Sequence, residues 1–205
     1  GDFYDFIPLG EDRLGLVIAD VSGKGVPAAM VMNMAKSVLH VEALRDNEPD
    51  QVLSVVNNLL VESTRPDSFV TLVYAVLDRK AKQIIFTNAG HTPCLIHRAA
   101  TGECESVQSE NLPLAILPDL DFVRQTVDVF PGDSIVLYTD GVTEAMNSQR
   151  ELFDNDRLVK IMENIGDEES AEEAMERIYK SVEEFAGDAP RSDDTTVVMI
   201  KIRDI

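Results

Sequence analysis

Tryptophan is absent from this chain, histidine occurs three times and cysteine twice, and basic residues are heavily outnumbered: 18 Lys and Arg face 37 Asp and Glu in 205 residues. Each scarcity closes off a class of chemistry. Cys94 and Cys104 have no CxxC spacing and no histidine in a zinc pattern nearby, which argues against a nitrogen- and sulfur-ligated metal. Two reduced thiols are the simplest reading, and they set a cytoplasmic location as the expectation. A formal charge of -19 repels a nucleic-acid backbone and an anionic bilayer surface, so neither nucleic-acid binding nor direct membrane insertion is expected. No run reaches the roughly 18 apolar residues of a spanning helix. The opening Gly1-Asp2-Phe3-Tyr4-Asp5 has neither a basic start nor a signal-like apolar stretch. It opens on a motif without an initiator methionine, and the expectation drawn from this is the C-terminal part of a longer protein with a sensor domain upstream.

What is present is a chain 44% hydrophobic with 11 glycines, enough for one globular domain over residues 1–205 with a substantial core. Short apolar runs bounded by turn formers predict strands at Asp2 to Pro8, Leu14 to Ala19, Val70 to Leu77, Gln83 to Thr87, Cys94 to His97, Phe122 to Val129, Ser134 to Thr139 and Thr196 to Ile202. Helical spacing predicts helices at Val26 to Leu44, Asp50 to Glu62, Asp156 to Asn164 and Ser170 to Phe185. The first of these is apolar nearly all round, which predicts a helix sandwiched by neighbours, its methionines in the core and His40 on a buried element. His97 reads as structural. The acidic run Glu168, Glu169, Glu172, Glu173 and Glu176 reads as a solvated face and first turn. Strands concentrated between the first and last helix pairs favour an α+β fold with antiparallel pairing over a βαβ alternation.

Aspartates stand at the ends of several predicted strands: Gly1-Asp2-Phe3-Tyr4, Ile18-Ala19-Asp20, Tyr138-Thr139-Asp140-Gly141, and Asp193-Asp194 before Thr195-Thr196-Val197-Val198. One such aspartate is an ordinary turn former or helix cap. Several together suggest an oxygen-lined site for a hard divalent cation such as Mg²⁺ or Mn²⁺. Ser22-Gly23-Lys24-Gly25 invites comparison with a nucleotide phosphate loop, but that motif needs glycine where Ile18 stands and serine or threonine where Gly25 stands. The turn is left with the task of aiming Asp20 and the Val21 carbonyl.

Taken together, Asp2 to Asp5, Ala19-Asp20-Val21-Ser22-Gly23-Lys24-Gly25-Val26-Pro27-Ala28-Ala29, Asn88-Ala89-Gly90-His91-Thr92-Pro93, Leu137-Tyr138-Thr139-Asp140-Gly141-Val142-Thr143-Glu144-Ala145 and Asp193-Asp194-Thr195-Thr196-Val197 resemble the bacterial branch of metal-dependent protein serine/threonine phosphatases, the sporulation protein IIE and RsbU-like branch. The resemblance spans essentially the whole chain. It implies a four-layer α-β-β-α sandwich of two antiparallel sheets, and two Mn²⁺ or Mg²⁺ ions that activate a water against phosphoserine or phosphothreonine. By resemblance, Asp20 bridges both ions, Val21 offers its carbonyl, Asp2 supports the second ion, and Asp140 and Asp193 hold the other, Asp194 being interchangeable with Asp193. His91 is a candidate general acid; the alternative is a phosphate contact or an ordered loop, since relatives outside this branch tend to carry an acidic residue here, linked to a weaker third ion. The implied substrate is a phosphorylated anti-sigma-factor antagonist in a bacterial partner-switching pathway, and a homodimer fits this role. The rival is a catalytically silent module of the same fold that binds or senses a phosphorylated partner. Three departures stand out: Gly1 is the only glycine left of an opening Gly-Gly-Asp, the first strand of the family is missing, and Ala115 replaces the usual glycine after Leu112-Pro113-Leu114.

Overall fold

The computed structural model describes residues 1–203 except 46, 47, 66, 167 and 192. In chain order the elements are β1 (Phe3–Pro8), β2 (Arg13–Val21), α1 (Val26–Ala43), α2 (Pro49–Ser63), β3 (Val70–Asp78), β4 (Gln83–Ala89), β5 (Cys94–His97), β6 (Cys104–Val107), β7 (Gln125–Asp128), β8 (Ser134–Tyr138), α3 (Asp140–Thr143), α4 (Asp154–Glu163), α5 (Ala171–Ala186) and β9 (Val197–Lys201). They fall into two units, Gly1–His91 with Gln108–Val129, and Thr92–Val107 with Phe130–Ile205. The α+β class and its antiparallel pairing are as expected, one sheet running β1-β2-β3-β4-β7 and the other β6-β5-β8-β9.

In the first unit one face of the sheet carries Ile7, Val17, Ala19, Leu72, Tyr74 and Val76 into a core shared with Leu39, Leu53, Val56 and Leu60 of the two helices. Alternation along β2 and β3 puts these residues on one side. Helix α2 is amphipathic as its spacing predicts, and the Gln51 side chain accepts from the Glu48 backbone N–H at 3.3 Å, closing its first turn. Helix α1 departs from expectation. Only Ala28, Ala35, Leu39, Glu42 and Ala43 are buried, whereas Val26, Met30, Val41 and Leu44 are exposed, Met30 to 69%. His40 also faces outward, its Nδ1 3.8 Å from Asp5 Oδ2. An all-apolar helix therefore packs through an alanine-rich stripe on one side only; periodicity counts apolar residues but does not say how many neighbours arrive to cover them. Met32 and Met34 still contact the core.

The second unit packs α4 and α5 on its sheet through Val136, Tyr138, Phe153, Leu158, Met162, Ile178 and Val182. Ser170 caps α5, accepting from the Glu173 N–H at 3.2 Å while the Glu173 carboxylate accepts from the Ser170 N–H at 2.8 Å. The acidic run is thus partly a capping box, with Glu168, Glu172 and Glu176 in solvent and Glu169 paired with Arg177 at 2.9 Å. Two elements escaped the sequence reading, the short edge strand β6 and the single turn α3. Neither has enough residues to show a period. The strand expected from Phe122 begins instead at Gln125, because the Asn111 side chain holds Val123 from both sides, accepting its N–H at 2.9 Å and donating to its carbonyl at 3.0 Å.

Candidate metal centre

In the first unit the position of the acidic residues follows from strand register. Phe3 pairs with Ala19 and Tyr4 with Ile18, so the antiparallel ladder leads Asp2 and Asp20 to the same end of the sheet. The Gly1 nitrogen lies 3.6 Å from Asp20 Oδ1. Val21 is buried opposite Val70. Beyond it the chain is clasped, the Ser22 N–H donating to the Phe69 carbonyl at 3.0 Å and the Phe69 N–H to Ser22 Oγ at 2.8 Å. Gly23 at φ 91° and Gly25 at φ 79° then turn the backbone through left-handed conformations into α1.

His91 is fastened to the same sheet end. It is buried, and its Nδ1 bonds Thr71 Oγ1 at 2.8 Å; Thr71 is the cross-strand partner of Asp20. Its backbone is gripped by Asn88, whose Oδ1 accepts the His91 N–H at 2.7 Å and whose Nδ2 donates to the His91 carbonyl at 3.2 Å. The Asn88 carbonyl in turn accepts Ser109 Oγ at 2.6 Å and Asn111 Nδ2 at 3.1 Å. Between them Gly90, at φ 66°, sits where a Cβ would stand 2.6 Å from Pro113 Cγ and 2.9 Å from the Pro113 nitrogen, so the Asn-Ala-Gly-His turn admits no other residue there. Ala115 takes φ 69°, a left-handed conformation that favours glycine, and its N–H donates to buried Asn57 Oδ1 at 3.0 Å.

In the second unit a close backbone approach sets the acidic segments side by side. Strand β8 runs into Thr139, whose N–H donates to the Thr196 carbonyl and whose Oγ1 accepts the Thr196 N–H, each at 3.0 Å. Asp140 then opens α3, its carbonyl accepting the Glu144 N–H at 2.7 Å. A Cβ built on Gly141 would collide with the Asp194 carbonyl oxygen. The Asp140-Gly141 turn and the Asp193-Asp194 doublet therefore touch backbone to backbone, and only glycine permits it. Asp193 and Asp194 are exposed and Asp140 half-buried. Thr92 Oγ1 bonds the Tyr138 carbonyl beside this turn.

Each unit thus gathers part of the expected set: Asp2, Asp20, Val21 and His91 in one, Asp140, Asp193 and Asp194 in the other. Among the described residues no three His, Cys, Asp or Glu side chains form a ready-made metal cluster. The donor chemistry nonetheless fits hard divalent cations, since every candidate first ligand is a carboxylate or carbonyl oxygen at a strand end. The thiols offer nothing softer. Burial pushes the Cys94 thiol up to about 12 and that of Cys104 up to about 11, so both stay protonated at neutral pH. His97 is buried in β5 and His40 lies on the surface. Asn88, Thr71 and Gly141 were not singled out by the sequence reading. An Asn three residues before the histidine and a Gly directly after the aspartate were the available signals; Thr71 left none, because its role depends on cross-strand register.

Comparison with known proteins places these observations in a wider group. The family model for stage II sporulation protein E matches residues 10–203. The phosphoserine phosphatase RsbU of Bacillus subtilis is 30% identical over 201 residues, an alignment that takes in 98% of this chain and 59% of RsbU. The chain thus spans little more than half of that relative. Among solved structures, the PP2C phosphatase domain of SpoIIE from Bacillus subtilis, determined with a fragment of its regulatory domain, superposes with a TM-score of 0.83 at 22% identity, covering 98% of this chain and 58% of that one. The RsbU and RsbW domains of Rv1364c from Mycobacterium tuberculosis give a TM-score of 0.83 at 25% identity, covering 100% and 57%.

Proposed function

Since the chain belongs to the stage II sporulation protein E family, we propose that it is a metal-dependent phosphatase acting on phosphoserine or phosphothreonine in proteins. One observation carries this reading. Four acidic segments far apart in sequence stand at strand ends, and two of them are set side by side by a glycine, Gly141, that no other residue replaces. Structural aspartates at turns need no such arrangement.

In this reading residues 1–205 form one phosphatase domain. The residues that would hold Mg²⁺ or Mn²⁺ are Asp20, the Val21 carbonyl and Asp2 in the first unit and Asp140 and Asp193 in the second. When bound, such ions supply an activated water and neutralise charge on the phosphoryl oxygens. The chain's own task is positional. The strand ladder fixes Asp20, the Thr71 hydroxyl ties His91 to the adjacent strand, and the Gly141 contact keeps the doublet near Asp140. Buried and bonded through Nδ1, His91 serves better to order this end of the sheet than to donate a proton to a leaving group.

The substrate we propose is a phosphorylated anti-sigma-factor antagonist. This draws on RsbU being named a phosphoserine phosphatase and on the solved chain that carries RsbU and RsbW domains together. A cytoplasmic setting and control by an upstream sensor domain belong to the same proposal; no helix of the described residues is long and apolar enough to cross a membrane. The test is hydrolysis of phosphorylated antagonist proteins with Mn²⁺, Mg²⁺ or chelator. Turnover should require the cation and fall about a thousandfold in Asp140→Asn, with circular dichroism unchanged. Metal-independent turnover, or an Asp140→Asn protein as active as the parent, would refute it; background hydrolysis with undiminished antagonist binding would favour the silent binding module.

A further inference from the structure

The second unit contains a pocket that the proposed chemistry does not use. It opens beside Gly141 and Asp193 and has a volume of about 50 Å³. Its apolar lining includes Met146, Val182, Ala186, Ala189 and Pro190, with the hydroxyl side chains of Tyr179 and Thr195 beside them. They come from the stretch after α3, one face of α5, and the segment leading from α5 to β9. The rim is polar: Arg191 Nη2 lies 2.9 Å from Glu183 Oε1, tying that segment to the helix, and both side chains are largely in solvent. Apolar walls of small residues with a charged rim suit a short hydrocarbon group entering from water, and the space exceeds by severalfold the roughly 10–15 Å³ that a single water needs by the same measure.

We propose that this pocket is a specificity site that takes one aliphatic side chain of the phosphoprotein substrate, from a residue near the phosphorylated serine or threonine. The inference rests on the phosphatase reading and deepens it. Three observations select this occupant. Asp193 and Gly141 belong both to the pocket wall and to the acidic segments assigned to the metal centre, so a chain whose phosphate lies at those carboxylates has its neighbouring residues within reach. The lining is mostly apolar and gives few partners for a buried charge, which disfavours a charged head group against Met146, Val182 and Ala186. The carboxylates of Glu183 and Asp193 at the mouth further disfavour an acidic residue in an enzyme already at -19. A neutral branched side chain such as leucine or valine satisfies all three.

The experiment uses phosphoserine peptides, otherwise of glycine, serine and lysine, in which leucine, phenylalanine, glycine or aspartate is placed in turn at each position flanking the phosphoserine. Hydrolysis of p-nitrophenyl phosphate with Mn²⁺ by the unsubstituted protein reports on the phosphatase reading itself, and peptide affinity by fluorescence polarisation reports on the pocket whether or not turnover occurs. One flanking position should favour leucine over glycine about tenfold in affinity, and in kcat/KM where turnover is seen. Ala186→Phe, which fills the pocket, should reduce that preference to near unity. Met146→Ala, which enlarges it at an exposed wall, should move the preference towards phenylalanine and guards against a folding defect in the first variant. Equal affinity for leucine and glycine at every position, or a leucine preference that neither variant changes, overturns the proposal, even if aryl phosphate hydrolysis is robust.

Discussion

The two units hold their acidic residues by different means. In the first, Asp2 and Asp20 lie at the end of a five-stranded ladder, and every residue along it helps set their position. His91 is joined to that end by side-chain hydrogen bonds from Asn88 and Thr71. In the second, the turn after β8 and the approach to β9 are joined by the paired Thr139–Thr196 hydrogen bonds, and next to the aspartates themselves the Asp194 carbonyl rests directly on Gly141. A distributed constraint absorbs a local change, because many weak contacts share the load. A point contact does not, since neither backbone can move without carrying its aspartate along.

The sharpest way to break this comparison is Gly141→Ala. The added methyl has no space, and the strain should lower stability by about 3 kcal/mol while separating the two acidic segments. Thermal denaturation and Mn²⁺-dependent hydrolysis should both report large losses, and a native-like melting temperature with full activity would show that the contact is dispensable. A smaller effect is expected in the first unit from Asn88→Ala. It leaves the buried His91 N–H and carbonyl without their side-chain partner, at about 2 kcal/mol, while the ladder still holds Asp20. Denaturant unfolding should show this loss, and cation affinity should change far less than in Gly141→Ala; a matching loss of cation affinity would contradict the distributed picture. The smallest effect is a gain. Ala115→Gly relieves a left-handed alanine worth about 1–2 kcal/mol, offset by the more flexible unfolded chain at about 0.4–1 kcal/mol. Stability should rise by about 0.5 kcal/mol, visible as a slightly higher denaturation midpoint, and a lower midpoint would mean that the buried methyl outweighs the strain.

Much of the architecture was legible in advance because its signals are local. Runs of β-branched residues gave seven of the strands nearly to their ends and an eighth, β7, three residues too early, and β5 spans Cys94–His97 as read. The four longer helices followed from apolar spacing. The acidic segments were legible for the same reason: each sets an aspartate beside an apolar run. The failures share a cause as well. The outward Val26, Met30 and Val41 of α1, and His40 beside them, depended on what lies across from the helix. Strand β6, with Glu105 and Ser106 in its centre exposed, has no apolar face to announce it.

By itself the sequence determined most of the segments that become strands and helices and set the expectation of oxygen donors beside them, since these depend on residue type and spacing of a few positions. Only the tertiary structure decided that Thr71 stands between Asp20 and His91, that Asn88 grips the histidine backbone, and that Asp194 lies against Gly141. Each of those is a contact between residues remote in the chain, and its existence depends on sheet register and on the close approach of two backbones, neither of which any local pattern encodes.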